Sequence, residues 1–157
     1  MKTVFLGLGS NMGDREKNIR QAVRELNASG VPIQRLSPIY ETEPEGITGQ
    51  PLFLNAVAQA ETNLFPPQLL SCIHAIEARM KRVRTVRNGP RTIDIDIIFY
   101  QSAVFKTKDL EIPHPRFRER RFVLAPLADL VPNWRDPVTH RTVSDLLEHS
   151  SGKFRRI

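Results

Sequence analysis

The stretch GPRTIDIDIIFY, residues 89 to 100, constrains this chain more than any other. Its Ile, Phe and Tyr content predicts a strand, and strand side chains alternate between faces, so Asp94 and Asp96 share one face while Ile93, Ile95 and Ile97 share the other. Two carboxylates roughly 7 Å apart on one face repel each other and are costly to bury unless cations neutralise them. The isoleucine face needs a packed layer. The aspartate face needs either metal ions or solvent with arginine partners. Mg²⁺ fits the first case, because it takes one or two carboxylates with phosphate oxygens and water, and a bridged pair of ions sits about 3.5 to 4 Å apart. A solvent-facing polar strip is the alternative that spacing alone leaves open.

Charge lies on both sides of this strand. Residues 79 to 91 hold Arg79, Lys81, Arg82, Arg84, Arg87 and Arg91 with no acid, and residues 116 to 121 hold four arginines and one glutamate. The whole chain carries +6, so the remainder is acidic at −3. A basic chain invites the reading of a nucleic-acid binder, but cations flanking an acid pair suit a polyanion smaller than a duplex, gathered around a metal. The guanidinium fork at 82, 84, 87 and 91 matches phosphate oxygens, with a solvated loop as the plainer alternative. No partner nucleic acid is expected.

A length of 157 residues predicts one domain spanning 1 to 157. No apolar run approaches the ~20 residues that cross a bilayer, so no membrane partner is expected. The opening MKTVFLGLGSNMGD has too short an apolar stretch for a secretory signal, which leads to the expectation of a cytoplasmic protein. Cys72 is the only cysteine, which excludes an internal disulfide and a cysteine-rich metal site; among Leu69, Ile73, Ile76 and Met80 it reads as a small buried hydrophobe. His74, His114, His140 and His149 are too scattered for a zinc site, so any metal should be oxygen-ligated.

The order of elements follows from periodicity. Residues 3 to 9, TVFLGLG, read as a strand whose glycines lead to a turn at Ser10 to Gly13. Ile19, Ala22, Val23 and Leu26 recur at helical spacing, and Gly30 stops that helix. Pro32 and Pro38 confine residues 31 to 46 to an edge or irregular strand, 42 to 51 is a loop, and 52 to 62 alternates with Phe53, Asn55 and Val57 on one face. A helix is expected from Pro66 to Arg82, then the aspartate strand, the IPHP turn, a short helix in FVLAPLADL, and a last helix capped by Thr142 and Asp145. SSGKFRRI reads as a loose tail. The order β-α-β-β-α-β with C-terminal extras predicts an α+β class, a ferredoxin-like sandwich: an antiparallel sheet with helices on one face, its other face available to a ligand.

Several residues carry two readings. GLGSNMG, residues 7 to 13, lacks the lysine of a Walker loop, and serves either as a tight turn or as a close backbone approach to a flat ligand. Phe53 and Asn55 are either core or a stacking surface with an amide able to pair with a heterocycle edge. His114 is either a turn residue or a phosphate donor. No Ser-His-Asp or Cys-His arrangement is evident, so positioning and electrostatics should carry the chemistry. A ferredoxin-like RNA-binding module and a two-metal phosphodiesterase are the rival readings, although Asp94 and Asp96 would repel RNA phosphates.

GPRTIDIDI, LGSN, the T-x-P-x-G of Thr42 to Gly46, FLNAV, the IE-x(4)-R-x-R of Ile76 to Arg84, and IPHP followed by RRFVLAPL occur in collinear order over nearly the whole chain. Together they resemble the 6-hydroxymethyl-7,8-dihydropterin pyrophosphokinase family of folate biosynthesis. The resemblance implies transfer of the β,γ-pyrophosphoryl group of ATP to the pterin hydroxymethyl oxygen with release of AMP, by a monomer acting on two small molecules. It implies that Asp94 and Asp96 hold two Mg²⁺ ions, with Arg82 and Arg91 as further catalytic groups. Arg82, Arg84, Arg91, His114 and Arg120 are implied phosphate contacts, while Leu70, His74, Glu77, Ile97, Leu110 and Ile112 fall where the nucleotide would lie. The pterin is implied to stack between Phe53 and Phe122, next to Asp94, with Asn55 and groups near Leu8, Thr42 and Glu43 reading its aminopyrimidinone edge. The segments 42 to 51 and 81 to 91 are expected to close over the substrates. Four positions depart from the common pattern: Phe53 where Tyr is frequent, Asn88 where some members have Trp, and Glu43 and Glu45 in place of more apolar residues.

Overall fold

The first strand, β1 (Lys2–Ser10), buries Val4, Leu6 and Leu8 on one face and Phe5 on the other, where Gly7 and Gly9 follow. The computed structural model describes residues 1–43, 49–80 and 92–150, together with the backbone of 154–156. Asp14 starts helix α1 (Arg15–Ala28) by accepting the Lys17 N–H at 3.2 Å, and Ile19, Ala22 and Leu26 form its buried stripe. At Gly30 the backbone is left-handed, with φ of 86°, and the helix ends.

Two short strands follow, β2 (Ile33–Leu36) and β3 (Tyr40–Thr42), and both pair antiparallel with the long β4 (Phe53–Thr62). Pro38 interrupts them. There the Ser37 hydroxyl accepts the Val57 N–H at 2.8 Å, which satisfies a donor that the interruption would leave unpaired. Helix α2 (Pro66–Arg79) opens on two prolines and buries Leu69, Ile73, Ile76 and Glu77. It stops short of the expected Arg82, and residues 81 to 91 lie outside the described residues.

β5 (Asp94–Tyr100) pairs antiparallel with β1 as the sheet's edge. A hairpin of β6 (Phe105–Lys106) and β7 (Glu111–Ile112) comes next, then a 3₁₀ turn (Phe117–Glu119), α3 (Arg121–Leu130), α4 (Val143–Glu148) and β8 (Phe154–Arg156). The sheet order is β5-β1-β4-β3-β8, with β2 also on β4. Taking β2 and β3 as one interrupted strand, this is the antiparallel order of a ferredoxin-like sandwich. The Thr142 hydroxyl accepts the Asp145 N–H at 3.1 Å, so the expected cap of the last helix forms.

Two further expectations change. The tail read as loose is strand β8, paired to β3 from Tyr40↔Arg156 to Thr42↔Phe154, because the outer edge of β3 offers a row of backbone groups to any extended chain. The second sheet face is also largely covered. α1 and α2 pack on one side over Leu6, Leu54, Ile95 and Ile97, while Phe117, α3 and α4 pack on the other over Phe5, Val57, Ile98 and Phe99. A register shift opposite Phe5 and Leu6 puts the adjacent Ile98 and Phe99 on this second side, against the strict alternation of a regular strand. Phe99 meets Phe5 and Phe117 edge-on, with ring centroids 6.1 and 5.0 Å away. What stays open is the end of that face holding Gly7, Gly9, Asn55, Asp94 and Asp96. Among the described residues, no helix is long and apolar enough to cross a membrane.

Candidate functional site

Strand register assembles the site. Asp94 lies opposite Gly9, which lies opposite Asn55; Asp96 lies opposite Gly7. The two glycines leave a bare floor between the half-buried carboxylates and the Asn55 amide. Of the two sequence alternatives for these glycines, a turn or a close backbone approach to a flat ligand, their place in the slot lining favours the second, and their period-two spacing matches that of the aspartates on one strand face.

Above this floor is a narrow slot of about 90 Å³. Leu8, Thr42, Glu43, Phe53, Asn55, Asp94 and Phe122 all line it, so every residue expected to meet a flat heterocycle is gathered there. Asn55 is buried, and its Nδ2 donates to Thr42 Oγ1 at 2.6 Å, which fixes the plane of the carboxamide. Asn11 donates to Gln50 and to the Pro51 carbonyl, and Arg15 donates to the Leu52 carbonyl and Glu41, so the chain entering β4 is tied to the start of α1.

On the other side of the carboxylates runs an open trough of about 450 Å³. One face of α2 contributes Leu70, His74 and Glu77, the β5 edge contributes Ile97, and Leu110 and His114 close the far wall. Asp94 and Asp96 line both cavities. Two of the residues expected at the nucleotide do not line the trough itself. Ile112 is buried in the core beneath the trough, because its neighbour Glu111 takes the outward position of the short β7. Arg120 lines the slot, its guanidinium 5.5 Å from the Phe122 ring centre, since both residues stand at the start of α3. Arg82, Arg84, Arg91, Asn88 and Glu45, with most of the segments expected to close, lie outside the described residues.

Three supports escaped sequence reasoning in whole or in part. The buried Glu77 carboxylate accepts the Ile95 N–H at 3.0 Å and so fastens α2 to the edge strand between the two aspartates. A glutamate directly after Ile76 on a helix face otherwise apolar was the available signal. Asp136, fully buried, takes both Arg118 Nε and Nη2, the Val138 N–H at 3.0 Å and the Thr139 hydroxyl at 2.7 Å, bracing the 3₁₀ turn that leads to Arg120 and Phe122. No local signal marks that pair. His114 accepts the Arg116 N–H on Nδ1 at 3.1 Å, which leaves Nε2 to carry the proton. Burial, then the nearby Arg120 cation, pushes its pKa down to about 4 against the opposing pull of Asp94. The ring is neutral at physiological pH.

The chain can therefore hold a flat molecule in the slot and a larger polar one in the trough, with hard oxygen donors between them. Residues 5–132 match the family model described as 7,8-dihydro-6-hydroxymethylpterin-pyrophosphokinase. The chain belongs to this family. It is 46% identical over 127 residues to the 2-amino-4-hydroxy-6-hydroxymethyldihydropteridine pyrophosphokinase of Bacillus subtilis, covering 80% of this chain and 76% of that protein. It is likewise 46% identical over 141 residues to the folic acid synthesis protein FOL1 of Dictyostelium discoideum, covering 90% of this chain but 21% of that longer protein. The crystal structure of Plasmodium falciparum HPPK-DHPS wild type with pteroate shares the fold at a TM-score of 0.75 and 19% identity, over 94% of this chain and 42% of the other.

Proposed function

We propose that this chain transfers the β,γ-pyrophosphoryl group of ATP to the hydroxymethyl oxygen of 6-hydroxymethyl-7,8-dihydropterin. The new bond joins that oxygen to the β-phosphorus, while the hydroxyl O–H bond and the bond between the β-phosphorus and the α,β-bridging oxygen break, releasing a proton and AMP. The observation that carries this reading is that Asp94 and Asp96 face both the slot and the trough. Family membership and the relatives' printed names support the substrates.

The donor set fits Mg²⁺: two hard carboxylates on a floor without side chains, with room for phosphate oxygens and water. Two Mg²⁺ ions held by Asp94 and Asp96 would neutralise charge on the polyphosphate. The chain's own groups do the remainder. Phe53 and Phe122 sandwich the pterin, and Asn55, held by Thr42, reads its polar edge with Leu8 and Glu43 alongside. Neutral His114 offers an Nε2–H, and Arg120 a guanidinium, to phosphate oxygens. Leu70, His74, Glu77, Ile97 and Leu110 bound the nucleoside end. Arg82, Arg84 and Arg91 complete the phosphate contacts in this proposal, and Ile112 acts from beneath by supporting the trough.

In this proposal residues 1 to 157 act as one domain, since both cores share one sheet, and the chain works as a cytoplasmic monomer. Product analysis tests the reaction. AMP should form from MgATP only when the hydroxymethyldihydropterin is present. Cleavage of a phosphodiester without ATP would identify a hydrolase instead.

A further inference from the structure

We infer that Gly9 is a specificity-determining position for the heterocycle, required for the space it leaves and not for its backbone freedom. The inference rests on the proposed pterin slot. The left-handed glycines among the described residues are Gly13, Gly30 and Gly49, so the backbone at Gly9 is one that an ordinary residue adopts. Space is another matter. A Cβ built on Gly9 would lie 2.8 Å from Asn55 Oδ1, closer than unbonded carbon and oxygen approach, and 3.6 Å from Phe53 Cδ1. The third near atom is the Leu54 carbonyl at 3.8 Å, so all three belong to β4.

Asn55 has no easy retreat. It is buried, and its Nδ2 is held by Thr42 Oγ1 at 2.6 Å, so moving Oδ1 away either breaks that hydrogen bond or turns the carboxamide out of its plane. Gly7, the other floor glycine, differs: a Cβ there meets Ile98 Cδ1 at 3.4 Å, an ordinary contact. The trough does not include Gly9. A methyl group at position 9 therefore disturbs the amide that reads the heterocycle and leaves the nucleotide side intact.

Calorimetric titration of Gly9→Ala tests this. With Mg²⁺ and a saturating nonhydrolysable ATP analogue, 6-hydroxymethylpterin should bind roughly tenfold or more weakly than to the parent, while the analogue itself binds within about twofold. A ligand-free readout accompanies it. Gly9→Ala should lower the melting temperature when Asn55 is present and lose that effect in an Asn55→Ala background, where the obstructing oxygen is gone. Parental pterin affinity in Gly9→Ala, equal weakening of both ligands, or the same melting loss in both backgrounds overturns the inference. A parent chain that binds the nucleotide analogue but no pterin overturns the proposed function itself.

Discussion

Asp94 and Asp96 stand opposite two residues without side chains, on the neighbouring strand, and in the proposed reaction that bare floor leaves them room for metal. Asp96→Asn keeps the shape and halves the charge of the pair, so AMP release should fall roughly 100-fold or more, with the loss in kcat. Turnover close to the parent's would contradict the assignment. Phe53→Ala removes a stacking face from the slot and should raise the pterin dissociation constant about 5- to 150-fold, the value of one aromatic stack, with nucleotide affinity unchanged in a titration. His114 should titrate near 4 in the ligand-free protein, followed by its imidazole NMR signals; a midpoint near the ordinary histidine value would show that burial and Arg120 do not act on it as described. At this scale the sequence was largely legible. Period two separated Asp94 and Asp96 from their isoleucine neighbours without any structure. For Gly9 a close approach to a flat ligand was one of two readings, but the room it leaves for Asn55 was not legible, because Asn55 lies 46 positions further along the chain.

Among the elements, the wall carrying Arg120 and Phe122 depends on a buried ion pair outside the site. Burial alone raises the Asp136 carboxyl, but the hydrogen bonds from Arg118, the Val138 N–H and Thr139 hold it below the ordinary carboxylate value. Its stabilising contribution is therefore present above the unfolded-state pKa and lost as pH falls through the lower folded value. Asp136→Asn should destabilise the fold at neutral pH by about 3 kcal/mol, the low end for breaking a buried pair, since Arg118 keeps some access to water. The difference from the parent should shrink once pH drops below the ordinary carboxylate value of 3.8, followed by denaturant unfolding at several pH values. A constant difference would remove Asp136 from that role. Helices α1, α2 and α4 were legible because capping and apolar spacing are local. β8 and the bulge in β5 were not, because both are decided by the edge or register of a partner strand.

For the whole molecule, one sheet serves two cores, and the site occupies the corner that the second core leaves uncovered. The βαββαβ order could be read from the sequence, and so could the idea of a ligand on the free face. How little of that face stays free could not, since it depends on α3 and α4 folding back over Phe5 and Phe99. Because both cores share β1, β4 and β5, thermal unfolding should show a single transition by near- and far-ultraviolet circular dichroism, and two separated transitions would contradict the single-domain reading. In the proposed reaction the two carboxylates join a pterin slot to a nucleotide trough. The most direct measurement is a crystal structure with Mg²⁺, a nonhydrolysable ATP analogue and 6-hydroxymethylpterin. The account predicts two ions on Asp94 and Asp96, the pterin between Phe53 and Phe122, and the triphosphate arriving from the His74 side. Carboxylates that hold no metal with both ligands bound, or a nucleotide seated away from the trough, would contradict it.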